Sequence, residues 1–170
     1  SRNCYGAGVY AARSNAVFHE CVFSDNRTDG WGGGIYSISG GITVEQCTIV
    51  GNFADRRGGG ICIYGGTGTK ISRCKIVDNV AGFQFGGGLY GMSSVFEVSN
   101  CLIAGNFAHQ EAGGIGIEGG QADIRQCTVF GNQAGMYWGG GIHLSLSRVK
   151  LQNSIIWANS APDGQQISVY

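Results

Sequence analysis

The stretch CTIVGNFADRRGGGI, residues 47–61, decides how the chain is read, because the chain keeps repeating it. CKIVDNVAGFQFGGGL follows at 74–89, CLIAGNFAHQEAGGI at 101–115 and CTVFGNQAGMYWGGGI at 127–142. Each copy carries a cysteine, an asparagine five residues later, and a glycine cluster closed by an aliphatic residue. Extended outward, the asparagine column is Asn26, Asn52, Asn79, Asn106, Asn132 and Asn159, spaced by 26 or 27 residues. The cysteine column is Cys21, Cys47, Cys74, Cys101 and Cys127, with Ser154 in the sixth place. A fixed period of this length marks a repeat architecture, in which each unit buries its apolar side against its neighbours.

Within a unit the apolar residues recur at every second position: Ile42 and Val44, Cys47 and Ile49, Ile61 and Ile63. That is strand periodicity, and no run has the 3.6-residue period of a helix. Three short strands are expected per repeat: one after the glycines, a middle one such as ITVE at 42–45, and one that starts at the cysteine. Units this short cannot make propeller blades, which need about 40 residues. The expected fold is therefore all-β: a right-handed single-stranded parallel β-helix, a solenoid of about six turns of 26–28 residues, with 1–170 as one domain. Right-handedness follows from the near-universal hand of parallel crossovers.

In such a coil equivalent residues stack at roughly 4.8 Å, so a column in sequence becomes a ladder in space. Asparagine is expected at a corner, where it tolerates left-handed backbone and its amide bonds the amide one turn up. Glycine clusters allow bends where a Cβ would meet the next turn. The cysteines are expected to point inward as small free thiols, because parallel Cβ vectors one rung apart sit wider than a disulfide prefers.

Composition narrows the function classes. Lysine plus arginine equals aspartate plus glutamate, 11 against 11, which argues against nucleic acid as a partner. No apolar run has the length of a membrane span, and SRNCYGAGVY at the start has no signal-peptide core. Glycine is abundant, at 32 residues, but lacks the three-residue period of collagen. An integral number of turns without a capping helix leads to the expectation of a segment of a longer β-helix; the alternative is end-to-end or side-by-side association of copies.

These residues resemble the right-handed parallel β-helix repeat proteins of bacterial surfaces and the secreted, pectate-lyase-like polysaccharide enzymes. The nearest likeness is to polymorphic outer-membrane-protein repeats, whose motifs are a glycine cluster before an aliphatic residue, and FxxN. Here FSDN at 23–26 is the literal FxxN; the others read IVGN, IVDN, IAGN, VFGN and IWAN. The resemblance implies an extracellular or cell-surface protein of bacterial or archaeal origin. It carries no catalytic motif that could transfer a role to a residue.

The outward columns supply the candidate sites. After the glycines stand Tyr36, Cys62, Tyr90 and His143, then Tyr64, Met92 and Glu118, with Trp31, Arg57, Phe85, Glu111 and Trp138 laddered in the loop before them and His109 beside it. Aromatic rings interleaved with charges suit a glycan or a surface-protein partner, because rings stack on sugar C–H faces and charged groups bond hydroxyls; stacked rings also stabilise neighbouring rungs on their own. The cysteine-led strand turns Val50, Val77, Leu102, Phe130, Ile155 and Trp157 outward, an apolar strip suited to self-association. Asp29 and Asp55 share a column beside Arg56 and Arg57, the weak catalytic candidates of a polysaccharide lyase or glycoside hydrolase. The same two aspartates are the only calcium candidates, and no other cofactor is expected. Cys62 and Cys4 are the two cysteines outside the inward column, each a candidate reactive thiol. The leading expectation is a non-catalytic surface scaffold that binds through the aromatic groove, with the lyase or hydrolase and a filament subunit as alternatives.

Overall fold

The computed structural model describes residues 5–170, so Cys4 lies outside the described residues. Strands that are one repeat apart in sequence pair in parallel throughout. The first sheet stacks the segments after the glycines, from Val9–Ala12 through Ile35–Ile38, Ile61–Tyr64, Leu89–Met92, Ile115–Glu118 and Ile142–Ser145 to Ile167–Val169. The second runs from Val17–His19 to Arg148–Gln152, and the third from Val22–Ser24 to Ile155–Trp157. The register follows the sequence columns: Ile49, Ile76, Ile103 and Val129 pair in succession, as do Ile61, Leu89, Ile115 and Ile142.

A fourth sheet corrects the expectation of three strands per turn. It stacks the two-residue segments Arg27–Thr28, Phe53–Ala54, Val80–Ala81, Phe107–Ala108 and Gln133–Ala134, directly after the asparagines. Two residues are too few to show alternation, so the periodicity that reveals the other strands is silent here. The inward alanines Ala54, Ala81, Ala108 and Ala134 are buried, as is Thr28 in the same column.

The corners also differ from expectation. The left-handed residue is not the asparagine but the one before it: Asp25, Gly51, Asp78, Gly105, Gly131 and Ala158 all have φ between 51° and 64°. The asparagine is freed for a different task. Asn79 Oδ1 accepts from the backbone N–H (3.0 Å) and the Nδ2 (2.9 Å) of Asn52, while its own Nδ2 donates to Ile49 O and Asn106 Oδ1, both at 3.0 Å. The pattern climbs to Asn159, whose Nδ2 donates to Gln166 Oε1 at 2.9 Å, so Gln166 continues the amide ladder past the last asparagine. Every buried polar atom in this column is thereby satisfied.

The thiols face the axis as expected. Cys47, Cys74, Cys101 and Cys127 are buried among Ile49, Ile76, Ile103 and Val129, while Cys21 on the first rung is half-buried; the described cysteines are free. Each thiol donates to the carbonyl two residues back, as Cys74 Sγ does to Ser72 O at 3.1 Å, and Cys47 and Cys101 also accept the backbone N–H of the cysteine one rung before, at 3.4 Å. Ser154 makes the same two contacts, with Gln152 O at 2.8 Å and Cys127 N at 3.1 Å, which is why a hydroxyl can take the sixth place.

Candidate functional site

Outside the first sheet, and packed against it, lies a second and smaller cluster. Its foundation is the column Tyr36, Cys62 and Tyr90, which alternation directs away from the main core. The glycine-cornered loop folds over that column, laying Trp31 and Phe85 on it. The loop residues form the ladder expected from their spacing: Gly32 N–H donates to Arg57 O, Gly58 to Phe85 O, Gly86 to Glu111 O and Ala112 to Trp138 O.

The consequence corrects the picture of an open groove along this face. Tyr36, Cys62 and Tyr90 are 3%, 0% and 2% exposed, so the column meant to line a groove is sealed beneath the loop. Cys62 is also no accessible reactive thiol: burial pushes its pKa well above the ordinary thiol value, which keeps it protonated and inert. Rings turned outward from one wall gain more by covering one another than by facing water, about 25 cal/mol per Å² of apolar area removed.

Arg57 is the key to this cluster. Its guanidinium lies 5.3 Å from the Trp31 ring, 5.1 Å from Phe85 and 5.3 Å from Tyr90. Nε donates to Gln84 Oε1 at 3.1 Å, Nη1 reaches Met92 Sδ at 2.9 Å, and Glu118 Oε2 lies 3.7 Å away. The Tyr90 hydroxyl donates to the same Glu118 carboxylate. Arg57 is thus drawn away from Asp29, Asp55 and Arg56. Asp29 and Arg56 are exposed and Asp55 half-buried. Among the described residues, no three His, Cys, Asp or Glu side chains converge as metal ligands would.

One part of the aromatic face stays open. A pocket of about 180 Å³ lies between Phe85 and Tyr90 on one side and Trp138 and Tyr170 on the other, with Glu111, Glu118 and His143 on its walls. It lies on the stretch of the outer column where Gly116 stands between Tyr90 and His143 and contributes no side chain. His143 is held at both ring nitrogens: Nδ1 lies 2.6 Å from Ser168 Oγ and Nε2 3.3 Å from Glu111 Oε2. Burial lowers the His143 pKa, against a smaller opposing effect of the Glu118 charge, so the ring is neutral near pH 7. Glu111 is pushed the other way: burial raises its pKa and the Glu118 charge adds to the rise. Trp138 stacks on His143 at 6.0 Å and on Tyr170 at 5.1 Å.

Of the residues singled out in sequence, the pocket gathers Phe85, Tyr90, Glu111, Glu118, Trp138 and His143. It leaves out Trp31, Tyr36 and Tyr64, which pack on one another further along, and His109, which is exposed beside Phe83. The outward columns of the sequence do not point to Tyr170, Ser145 or Ser168. Tyr170 directly follows Ile167–Val169, the seventh strand of the first sheet. The apolar strip on the third sheet is exposed, with Trp157 56% and Ile155 59% accessible, the Phe130 and Trp157 rings 4.8 Å apart, Leu102 exposed, and Val50 and Val77 half-buried.

Comparison with known families agrees with this architecture. Residues 31–169 match the model described as a right handed beta helix region. The chain belongs to the right-handed β-helix family. Residues 20–38 of this β-helix, which include FSDN and the following glycine cluster, also match the Chlamydia polymorphic membrane protein repeat. Together the two families suggest a surface or secreted β-helix protein. No curated protein and no solved structure matches the chain. Among the described residues, no helix is long and apolar enough to cross a membrane.

Proposed function

We propose that this β-helix is a secreted or cell-surface scaffold that binds a glycan in the pocket between Phe85 and Trp138. The observation that carries the reading is the composition of that pocket. Four rings, of Phe85, Tyr90, Trp138 and Tyr170, stand around a small open space, and the polar groups lining it are Glu111, Glu118, His143 and Ser145. Ring faces take the C–H faces of a pyranose, and fixed carboxylates accept its hydroxyls. The volume suits one sugar unit rather than a long chain, so affinity for a polysaccharide would come from many weakly held ends or branches. The rigid coil supports this: a preformed site loses less ordering entropy on binding than a flexible loop does.

A glycan array probed with the purified chain tests the reading. Binding to a defined set of sugars, lost in Trp138→Ala and kept in Asp55→Ala, is the expected result. An array with no signal, or equal signal from Trp138→Ala, would remove it, and turnover of any polysaccharide in a parallel panel would replace it with the enzymatic alternative.

A further inference from the structure

The protein already contains one filled example of the arrangement found at the pocket. In the loop ladder, Arg57 lies between Trp31 on the preceding rung and Phe85 on the following one. Its guanidinium is within about 5 Å of both rings and of Tyr90, with the Glu118 carboxylate alongside. That is a cation in an aromatic enclosure with a counter-ion, the geometry in which ring quadrupoles attract positive charge.

Two rungs further on, the ladder offers the same walls with the opposite filling. Glu111 takes the central place between Phe85 and Trp138. Around it are the Tyr90 and Tyr170 rings and the Glu118 carboxylate. Among the described residues, no lysine or arginine lines this pocket. The charge count favours the negative sign: two carboxylates face it, Arg57 lies beside Glu118 and also acts on Glu111 as the one cation nearby, and His143 is kept neutral by burial. Burial first, and then the Glu118 charge, push the Glu111 carboxyl upward against the opposing Arg57 charge.

We propose that this pocket holds a cation as Trp31, Phe85 and Tyr90 hold Arg57, and that the sugar it selects carries a free amine. The inference rests on the glycan reading and names the class of sugar. An ammonium on the ring would lie against Trp138 and Phe85 and between Glu111 and Glu118, while the rest of the ring stacks on Tyr170. Acetylation of the amine removes the charge, so N-acetylated sugars would lose that attraction and gain only a bulkier group to fit.

The test is titration of the purified chain, followed by tryptophan fluorescence and calorimetry, with three six-unit oligosaccharides at about pH 6, where a sugar amine is charged and an ordinary carboxyl is ionised. The oligomers are of glucosamine, N-acetylglucosamine and glucose. The expected result is that the glucosamine oligomer binds about tenfold or more tightly than the other two, the size of a desolvated cation–π contact. Glu118→Gln should bring the three to within about threefold of one another, with an unchanged circular dichroism spectrum. Glu111→Gln gives a second measurement should Glu118→Gln disturb Tyr90. Equal or stronger binding of the N-acetylated or neutral oligomer overturns the amine inference and leaves the glycan reading in place. The amine inference also falls alone if all three fail to bind while other sugars on the array do. Absence of binding to any sugar removes both.

Discussion

Ala112 and Gly116 occupy each other's usual places. On the other rungs the loop corner is glycine and the residue four positions on carries a side chain: Gly32 with Tyr36, Gly58 with Cys62, Gly86 with Tyr90, Gly139 with His143. A Cβ added at any of these corner glycines would come within 2.6–2.7 Å of the Cβ four residues on. At the fifth rung the pair is reversed, and a Cβ added at Gly116 would lie 2.9 Å from the Ala112 Cβ. The two positions share room for one side chain. Where the reversal falls, alanine is forced to a φ of 60°, the outer column loses a side chain, and the pocket lies alongside.

The first prediction follows from that exchange. Gly116→Ala should destabilise the fold by about 2 kcal/mol through overpacking against Ala112 and the Tyr90 ring. Ala112→Gly added to it should restore about 1 kcal/mol, because it removes one of the two clashes and the strained corner. Urea unfolding of the four proteins measures the coupling, and strictly additive effects would contradict the shared-space reading.

The amide ladder should be strongest at its centre. Asn79→Ala removes the side-chain acceptor of the Asn52 backbone N–H and one of two acceptors of Asn52 Nδ2, and withdraws an amide donor from Ile49 O and Asn106 Oδ1, all deep in the fold. A loss of about 4 kcal/mol is expected, because stranded buried groups cost more than the bonds themselves stabilise. Asn26, half-buried at the first corner, donates only to Asn52 Oδ1, and its alanine variant should lose about 1 kcal/mol. Similar losses at both positions would mean the ladder acts through something other than buried bonding.

Arg57→Lys should be nearly as damaging as Arg57→Met, at about 2 kcal/mol, because a lysine keeps the charge but not the plane that lies among three rings. Thermal unfolding of both variants decides. A lysine variant as stable as the natural chain would show that charge alone holds Glu118.

Two buried groups should shape the pH profile with opposite signs. His143 has a lowered pKa, so the unfolded chain takes up a proton below about 6.5 that the folded ring resists; its contribution is present above that pH and lost as pH falls. Glu111 has a raised pKa, so its contribution is present below about 4.5 and lost as pH rises through the folded value. In stability measured against pH, His143→Gln should flatten the fall below 6.5. Glu111→Gln should raise stability near neutrality and leave the acid end unchanged. Parallel curves for all three proteins would refute both assignments.

Cys47, Cys62, Cys74, Cys101 and Cys127 should resist a thiol reagent in the folded protein and react together in denaturant, without prior reduction. Slow release at the global unfolding rate is the expected kinetics. Rapid native labelling of Cys74 or Cys101 would show that the inward register is wrong.

The sequence by itself determined the coil, its period and its register. Cys74, Ile76 and Asn79 recur at a fixed offset, and parallel stacking turns a fixed offset into contact between like residues, whatever their neighbours are. The same logic placed the thiols and the aliphatic residues inside, because alternation decides a side chain's face locally. It did not reach the two-residue strands such as Val80–Ala81, which are too short to alternate, nor the left-handed Asp78 beside Asn79, since either residue tolerates that backbone.

Only the tertiary structure decided what the outer aromatic face does. Alternation directs Tyr36, Tyr90 and His143 out of the core, but whether they meet water depends on a loop folding back over them. That depends on contacts between rungs: Arg57 among rings from the turns before and after its own, Glu111 reaching His143, Trp138 stacking on Tyr170. Column patterns record which residues stack. They hold no record of how far a long side chain leans along the column, and that lean separates a sealed cluster at Cys62 from an open pocket beside Gly116.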